Sequence, residues 1–339
     1  MSEKTLFKVI IGGRDVSNAM APIVESISVH DGTDNEADTA SLTLSDEGGL
    51  TVMSRKRDPV AVSLGRTGEG MGLVFQGFVD EVRSKGNRSK GRTLSIECKS
   101  VDLGGNAKET KEKHWEDKNL QQILDDAFSA TGISVKVSPE LASIVREYEA
   151  MDSEDPLTFA ARLAKEVGGT FKMMGPQAVL VKRNSGSGID GSALQTFDVK
   201  WGVNLIDWDI SPIISRAEFG SFNNRWFDFA KNKFVEETEK GTGAAKHRRS
   251  NVEPGQSLAK QRATADKIDA DRKGGEGTVV TKGSFLAQAE GRCKLQGIRE
   301  AVDGVYVISA VDHEASRDQG YECTLEVKQP QDGAGKDSR

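Results

Sequence analysis

The sequence predicts a mainly β protein with α+β insertions. A β module lies at each end of the chain, the first closed into a small antiparallel barrel, and a helix-containing α+β module joins them. Three observations carry that reading. Apolar and polar residues alternate at period 2 over short segments in the first hundred residues and again beyond residue 200. Between about residues 117 and 168 a helical spacing replaces that alternation. Gly is frequent (36 residues) and Pro scarce (8), which suits many tight turns between short strands better than rigid linkers.

Along the chain, Ala40, Leu42 and Leu44 alternate with Thr39, Ser41 and Thr43, and Val60, Val62 and Leu64 repeat the pattern after Asp58-Pro59. A longer run covers residues 73–82, with turn residues Gly12-Gly13, Gly48-Gly49 and Gly86-Asn87 between segments. About six short strands must hide their edges, and a small barrel does so economically. This first barrel is expected over residues 1–105. The α+β module, 106–183, follows. Leu120, Ile123, Leu124, Ala127 and Phe128 form an apolar stripe on one helix, which Thr131-Gly132 ends. Asp155 can cap a second helix with Pro156 at its first position; Leu157, Ala160, Ala161, Leu163, Ala164 and Val167 follow, and Gly168-Gly169 stops it. Strands over 170–174 and 177–182 complete the module, and 184–188 reads as a loop or linker. A second β module is expected over 184–330. Ile206, Trp208 and Ile210 alternate with Asp207 and Asp209, and a hairpin spans 304–311 and 320–328. A polar insertion interrupts it at about 223–277. Its most polar part, 237–277, holds a helix over 257–271 whose apolar content is mainly alanine, so that helix needs a partner, such as a neighbouring protomer, or stays mobile. Residues 331–339 read as a flexible tail.

Composition narrows the function. A chain of 339 residues suggests two or three domains, and 36% apolar with 29% charged residues is too apolar for a disordered chain. With 46 basic and 52 acidic residues, a net charge of −6 gives no global sign of a nucleic-acid binder. No apolar run approaches the ~18 residues of a membrane span. The N-terminus, MSEKTLFKVIIGGRD, lacks the features of a secretory signal, so a soluble protein made in a cytoplasm is expected. Cys98, Cys293 and Cys323 are far apart with no CxxC, and the alternation around Cys98 and Cys323 makes each a small apolar residue on a buried strand face.

A search for chemistry returns no catalytic, cofactor-binding or metal-binding residues. His30, His114, His247 and His313 show no metal-ligand spacing. Gly68-Glu69-Gly70-Met71-Gly72 has the wrong spacing for a dinucleotide loop and opens a strand; Gly241-Thr242-Gly243 lacks the P-loop GK[ST]. Asp31, Asp34, Glu36 and Asp38 could hold a hard cation, but the EF-hand pattern is absent and a solvated loop between strands is the expectation. The basic run Arg83, Lys85, Arg88, Lys90 and Arg92 surrounds a hairpin turn without aromatics for base stacking, and reads as an exposed tip charged for solubility or for an acidic protein partner. Lys246, His247, Arg248 and Arg249 read the same way.

The order of parts resembles a known family. The carrying segments are Leu120-Gln121-Gln122-Ile123-Leu124 with Thr131-Gly132-Ile133, Tyr148 to Met151, the block SEDPLTFAARLAKEVGG at 153–169, and DGVYVISAVDH at 303–313 leading to Gly320-Tyr321. Over about residues 5–328 the chain resembles the phage late control protein D family, baseplate hub proteins of contractile-tailed phages, and is similar to the hub half of type VI secretion spike proteins. The resemblance implies two small antiparallel (tudor-like) β-barrels per chain. It implies a homotrimer whose six barrels form a pseudo-six-fold ring between a hexameric tail tube, or its initiator, and a trimeric spike, with other baseplate proteins around it. It places the protein in the virion's tail baseplate, assembled in the host bacterial cytoplasm; no enzymatic activity, cofactor or nucleic acid is expected, and no membrane in the assembled state. The chain carries no repetitive β-helical spike, so the spike is expected to be a separate protein. Two other readings remain: a peptidoglycan-degrading tail enzyme using carboxylates such as Asp207 and Asp209, and a DNA-binding late-gene regulator using the two basic runs.

Overall fold

The computed structural model describes residues 3–33, 37–88, 91–101, 106–184, 186, 194–212, 219–331 and 334. The loop read at 184–188 and the tail at 331–339 lie mostly outside the described residues. The first unit comprises β1 (Thr5–Ile11), β2 (Arg14–Asp15), α1 (Ser17–Met20), β3 (Val24–Gly32), β4 (Thr39–Ser45), β5 (Pro59–Arg66), β6 (Gly70–Asn87) and β7 (Gly91–Lys99). Their inward side chains, including Ile27, Leu42, Val62 and Ile96, are fully buried, as period-2 patterning requires.

The middle module is β8 (Lys111–Asn119), α2 (Leu120–Phe128), β9 (Ser134–Val137), α3 (Pro139–Ala142), β10 (Val145–Glu154), α4 (Pro156–Glu166), β11 (Gly169–Met174) and β12 (Gln177–Lys182). Its two main helices begin at good caps. The Asn119 side chain accepts from the Gln122 amide and its own amide is held by the Gln122 side chain, while Asp155 accepts from the amides of Leu157 and Thr158. Gly132 and Gly168 end them with positive φ. The whole stripe Leu120, Ile123, Leu124, Ala127 and Phe128 is buried in a core separate from that of the β units. The antiparallel β8–β10 pair was not foreseen, because its residues are mostly charged.

The last part is β13 (Phe197–Lys200), β14 (Leu205–Ser211), β15 (Phe219–Asp228), β16 (Lys233–Lys240), β17 (Ala245–Glu253), α5 (Gln256–Arg272), β18 (Glu276–Lys282), β19 (Arg292–Gln296), β20 (Gly304–Ser316) and β21 (Gly320–Gln331). In β14 a bulge at Ile206 breaks the simple alternation: Leu205 is buried, Ile206 exposed, and Trp208 and Ile210 half-buried. The fold class is mainly β with α+β insertions, as the sequence predicts.

The two β units repeat each other. The first runs β1-β5-β6-β7-β4-β3 and the second β13-β19-β20-β21-β18-β14, which is the same order of first, fourth, fifth, sixth, third and second strand. In each path the two end strands are the first two of the six in chain order. Register repeats as well. Adding 229 to any partner in the β6–β7 hairpin gives a partner in β20–β21, from Val79↔Cys98 and Ile308↔Val327 to Asn87↔Gly91 and Ser316↔Gly320, and both hairpins bulge at the matching residue. Adding 181 carries β3 onto β14, again with a matching bulge. The outer strand departs from the repeat, since β1 pairs β5 antiparallel whereas β13 pairs β19 parallel.

The units are also joined. The first half of β20 pairs β19, and its second half pairs β3 from Ala310↔Gly32 to Ser316↔Ser26. One sheet therefore runs through both units, over a continuous core.

Candidate functional site

The three modules meet at a buried polar junction. β3 carries Asp31 to its end, Asp38 follows just before β4, and β11 brings Lys172 across from the middle module. The Lys172 ammonium bonds Asp31 directly and lies 3.3 Å from Asp38. Asp31 also accepts the Ala289 amide at 3.0 Å and Asp38 the Gly32 amide at 3.3 Å. At 7% and 9% exposure these two acids do not stand in a solvated loop as expected, because β11 packs over them and its ammonium takes the place of water. Asp34 and Glu36 lie outside the described residues.

Two carboxylates share one ammonium here, and they titrate apart. Burial acts to raise Asp31, but the Lys172 charge and the Ala289 amide overcome it and hold this carboxyl below its ordinary range. Burial, opposed by Lys172 and reinforced by the Asp31 charge, pushes Asp38 up to about 6. Burial acts against the Lys172 charge, yet the two carboxylates raise its pKa. Beside them Arg272, from the last turn of α5, donates to Thr33 at 2.6 Å and to Glu290 at 3.0 Å, and Glu290 also accepts from Thr170 at 2.9 Å.

A cavity of about 430 Å³ opens on this junction, lined by Asp31, Lys172, Phe75, Phe285 and His313 among others. His313 lies inside β20 with Nδ1 at 2.8 Å from the Tyr321 hydroxyl and 3.2 Å from Cys323 Sγ. Burial holds this imidazole down to about 4 and pushes the Cys323 thiol up to about 12. A neutral imidazole beside a protonated thiol has neither the thiolate nor the access that nucleophilic chemistry needs. Cys98, Cys293 and Cys323 are all buried strand residues.

The remaining sequence candidates are dispersed. His30 Nδ1 is 2.6 Å from Asp312 across the β3–β20 seam; burial opposes its charge, but Asp312 raises its pKa overall. His114 stacks on Tyr148, and His247 packs against Phe219 and Phe222. Among the described residues, no group of three or more His, Cys, Asp and Glu is placed to hold a metal ion. Asp207 and Asp209 are exposed on β14. Gly86 and Asn87 are paired strand residues rather than the expected turn; Arg83, Lys85, Arg88 and Arg92 are exposed, and Lys90 lies outside the described residues. In the second basic run, Arg248 pairs with Glu236 and Arg249 with Asp266.

Sequence reasoning missed a second network. Glu166 of α4 meets Arg146 at 3.2 Å, Arg162 at 3.1 Å and Arg262 of α5 at 2.9 Å, and Arg262 lies 3.8 Å from Glu253. It corrects the expectation that the helix at 257–271 lacks a partner in its own chain. Ala259, Ala263 and Ala265 are buried, their small side chains letting α5 approach its neighbours closely, while Arg262 and Asp266 find fixed partners of opposite charge. No local signal marks such a network, since its members come from β10, α4, β17 and α5.

Two repeated β units joined by one sheet, with an α+β module between them in the chain, define the class of this fold. Residues 37–319 match the family described as phage tail baseplate hub (GPD), and the chain belongs to that family. It is 24% identical over 190 residues to a probable baseplate hub protein of Escherichia phage P2, a match covering 56% of this chain and 48% of that protein. The chain thus matches about half the length of that curated relative. Among solved structures it is similar to a tail protein from Neisseria meningitidis MC58, with a TM-score of 0.69 at 16% identity, covering 97% of each chain. It is also similar to an E. coli component of the type VI secretion system, with a TM-score of 0.56 at 14% identity, covering 94% of this chain and 76% of that one.

Proposed function

We propose that this chain is the structural hub of a contractile-tail baseplate. Three copies close into a ring whose six β units offer near six-fold surfaces to a hexameric tail tube, or its initiator, on one side, while the trimer holds a separate trimeric spike on the other. The role is scaffolding in the virion after assembly in the host cytoplasm, alongside other baseplate proteins. It involves no catalytic, cofactor or metal site, and no nucleic acid or membrane.

The observation that carries this reading is the internal repeat. One chain holds two units of the same strand order and register, locked together by the β20–β3 ladder. Three rigid pairs related by a three-fold axis make six similar units, which is how a trimer can match a hexamer. Light scattering after size exclusion tests it: three chains of 36.6 kDa give about 110 kDa. A clean monomer at every concentration, with and without a trimeric spike, overturns the ring.

A further inference from the structure

The cavity at the junction of the three modules has a floor and a mouth of opposite character. At the floor, Asp31 and Asp38 share the ammonium of Lys172, so the group carries one carboxylate charge in excess. The other charged groups around it are matched: Glu290 pairs with Arg272 and His30 with Asp312, while burial keeps His313 neutral. Toward solvent the walls turn apolar. Phe75 of β6, Val179 of β12 and Phe285, from the segment between β18 and β19, line the cavity. Leu73 of β6 and Met174 of β11 line it too, and their exposures of 49% and 42% place them at its mouth.

We propose that this cavity binds a primary alkylammonium ion, its charge against Asp38 and its alkyl chain along Phe75, Val179 and Met174 toward the mouth. The excess carboxylate selects a cation, because a buried charge is satisfied by a partner of opposite sign. The apolar walls select a cation with a hydrocarbon body over a bare hydrated ion, as they do for the stem of a lysine side chain. A volume of about 430 Å³ lies in the range of small-molecule pockets. A free linear amine and a lysine side chain of a partner protein share this chemistry. The lining comes from both β units and the middle module, so an occupant holds the three together. None of this depends on the ring proposed above.

Proton and amine compete for the same carboxylate. Burial pushes Asp38 up to about 6, so binding should be at full strength at about pH 8 and weaken roughly tenfold per pH unit below about 6. Titration calorimetry on the full chain at about pH 8 tests the site with pentylamine, Nα-acetyl-lysine methylamide and pentanol. Pentylamine should bind at one site per chain, and pentanol, which lacks the charge, roughly tenfold or more weakly. Asp38→Asn keeps an oxygen for the Gly32 amide, yet should weaken pentylamine by roughly tenfold or more. Val179→Phe, which narrows the apolar wall and leaves both carboxylates in place, should weaken it as well. Pentylamine binding without the lysine analogue assigns the cavity to a free amine; an analogue that binds at least as tightly assigns it to a lysine side chain. No binding of either amine, equal affinity in Asp38→Asn, or pentanol binding as tightly as pentylamine overturns the proposal.

Discussion

Replacing Asp38 with Asn should stabilise the protein at mildly alkaline pH. In the native junction one ammonium faces two carboxylates, and Asp38 lies 3.3 Å from it. Asp38 rises from the ordinary 3.8 to about 6, and that difference of about 2 pH units corresponds to ~3 kcal/mol. The sign follows from proton binding. Between 3.8 and 6 the folded state holds a proton on Asp38 that the unfolded chain has released, so this group lowers stability as pH rises and its full penalty stands above about 6. Asn keeps an oxygen for the Gly32 amide and leaves Asp31 and Lys172 as a balanced pair. Urea unfolding should therefore show a gain of roughly 1–3 kcal/mol at about pH 8 that vanishes near pH 4, with a flatter pH dependence between. A variant less stable than the parent at about pH 8, with the pH dependence unchanged, would show that the ionised Asp38 is a net stabiliser and refute the reasoning.

Three further expectations follow from the same contacts. Arg146→Met leaves Glu149 and Glu166 buried without their shared guanidinium and should lower stability by about 3–5 kcal/mol in urea melts; a loss under 1 kcal/mol would mean that Arg162 and Arg262 suffice to neutralise them. Burial pushes the Cys98 and Cys323 thiols up to about 12 and raises Cys293 as well, so an Ellman titration should find no reactive thiol in the native protein and three after denaturation. Asp155→Ala removes the acceptor for the Leu157 and Thr158 amides and should cost about 1 kcal/mol, read as faster hydrogen exchange across the first turn of α4; unchanged exchange there would argue against the cap.

Much of the fold was legible because the signals are local. The stripe from Leu120 to Phe128, the Asp155-Pro156 start and the alternation in β4 and β5 each depend on neighbours a few residues away. The acidic segment at 31–38 misled because glycine and clustered acids favour a loop on local grounds, whereas Lys172, 141 residues after Asp31, decides its burial. The alanine-faced α5 misled for a similar reason: its docking depends on Glu166 and Arg249 being already in place.

By itself the sequence determined the strands β4 and β5, the last hairpin and the helices α2 and α4, with the apolar face of each and the glycines that stop the helices, since periodicity and caps are written in adjacent residues. Only the tertiary structure decided that β20 divides its length between β19 and β3, and that the two β units repeat one register. The physical reason is that the repeat preserves backbone pairing and bulge positions rather than side-chain identity: His313 stands where Ser84 does, and Trp208 where Ile27 does. Hydrogen bonds between main chains tolerate such exchanges, so a shared register leaves little trace in the residues that hold it.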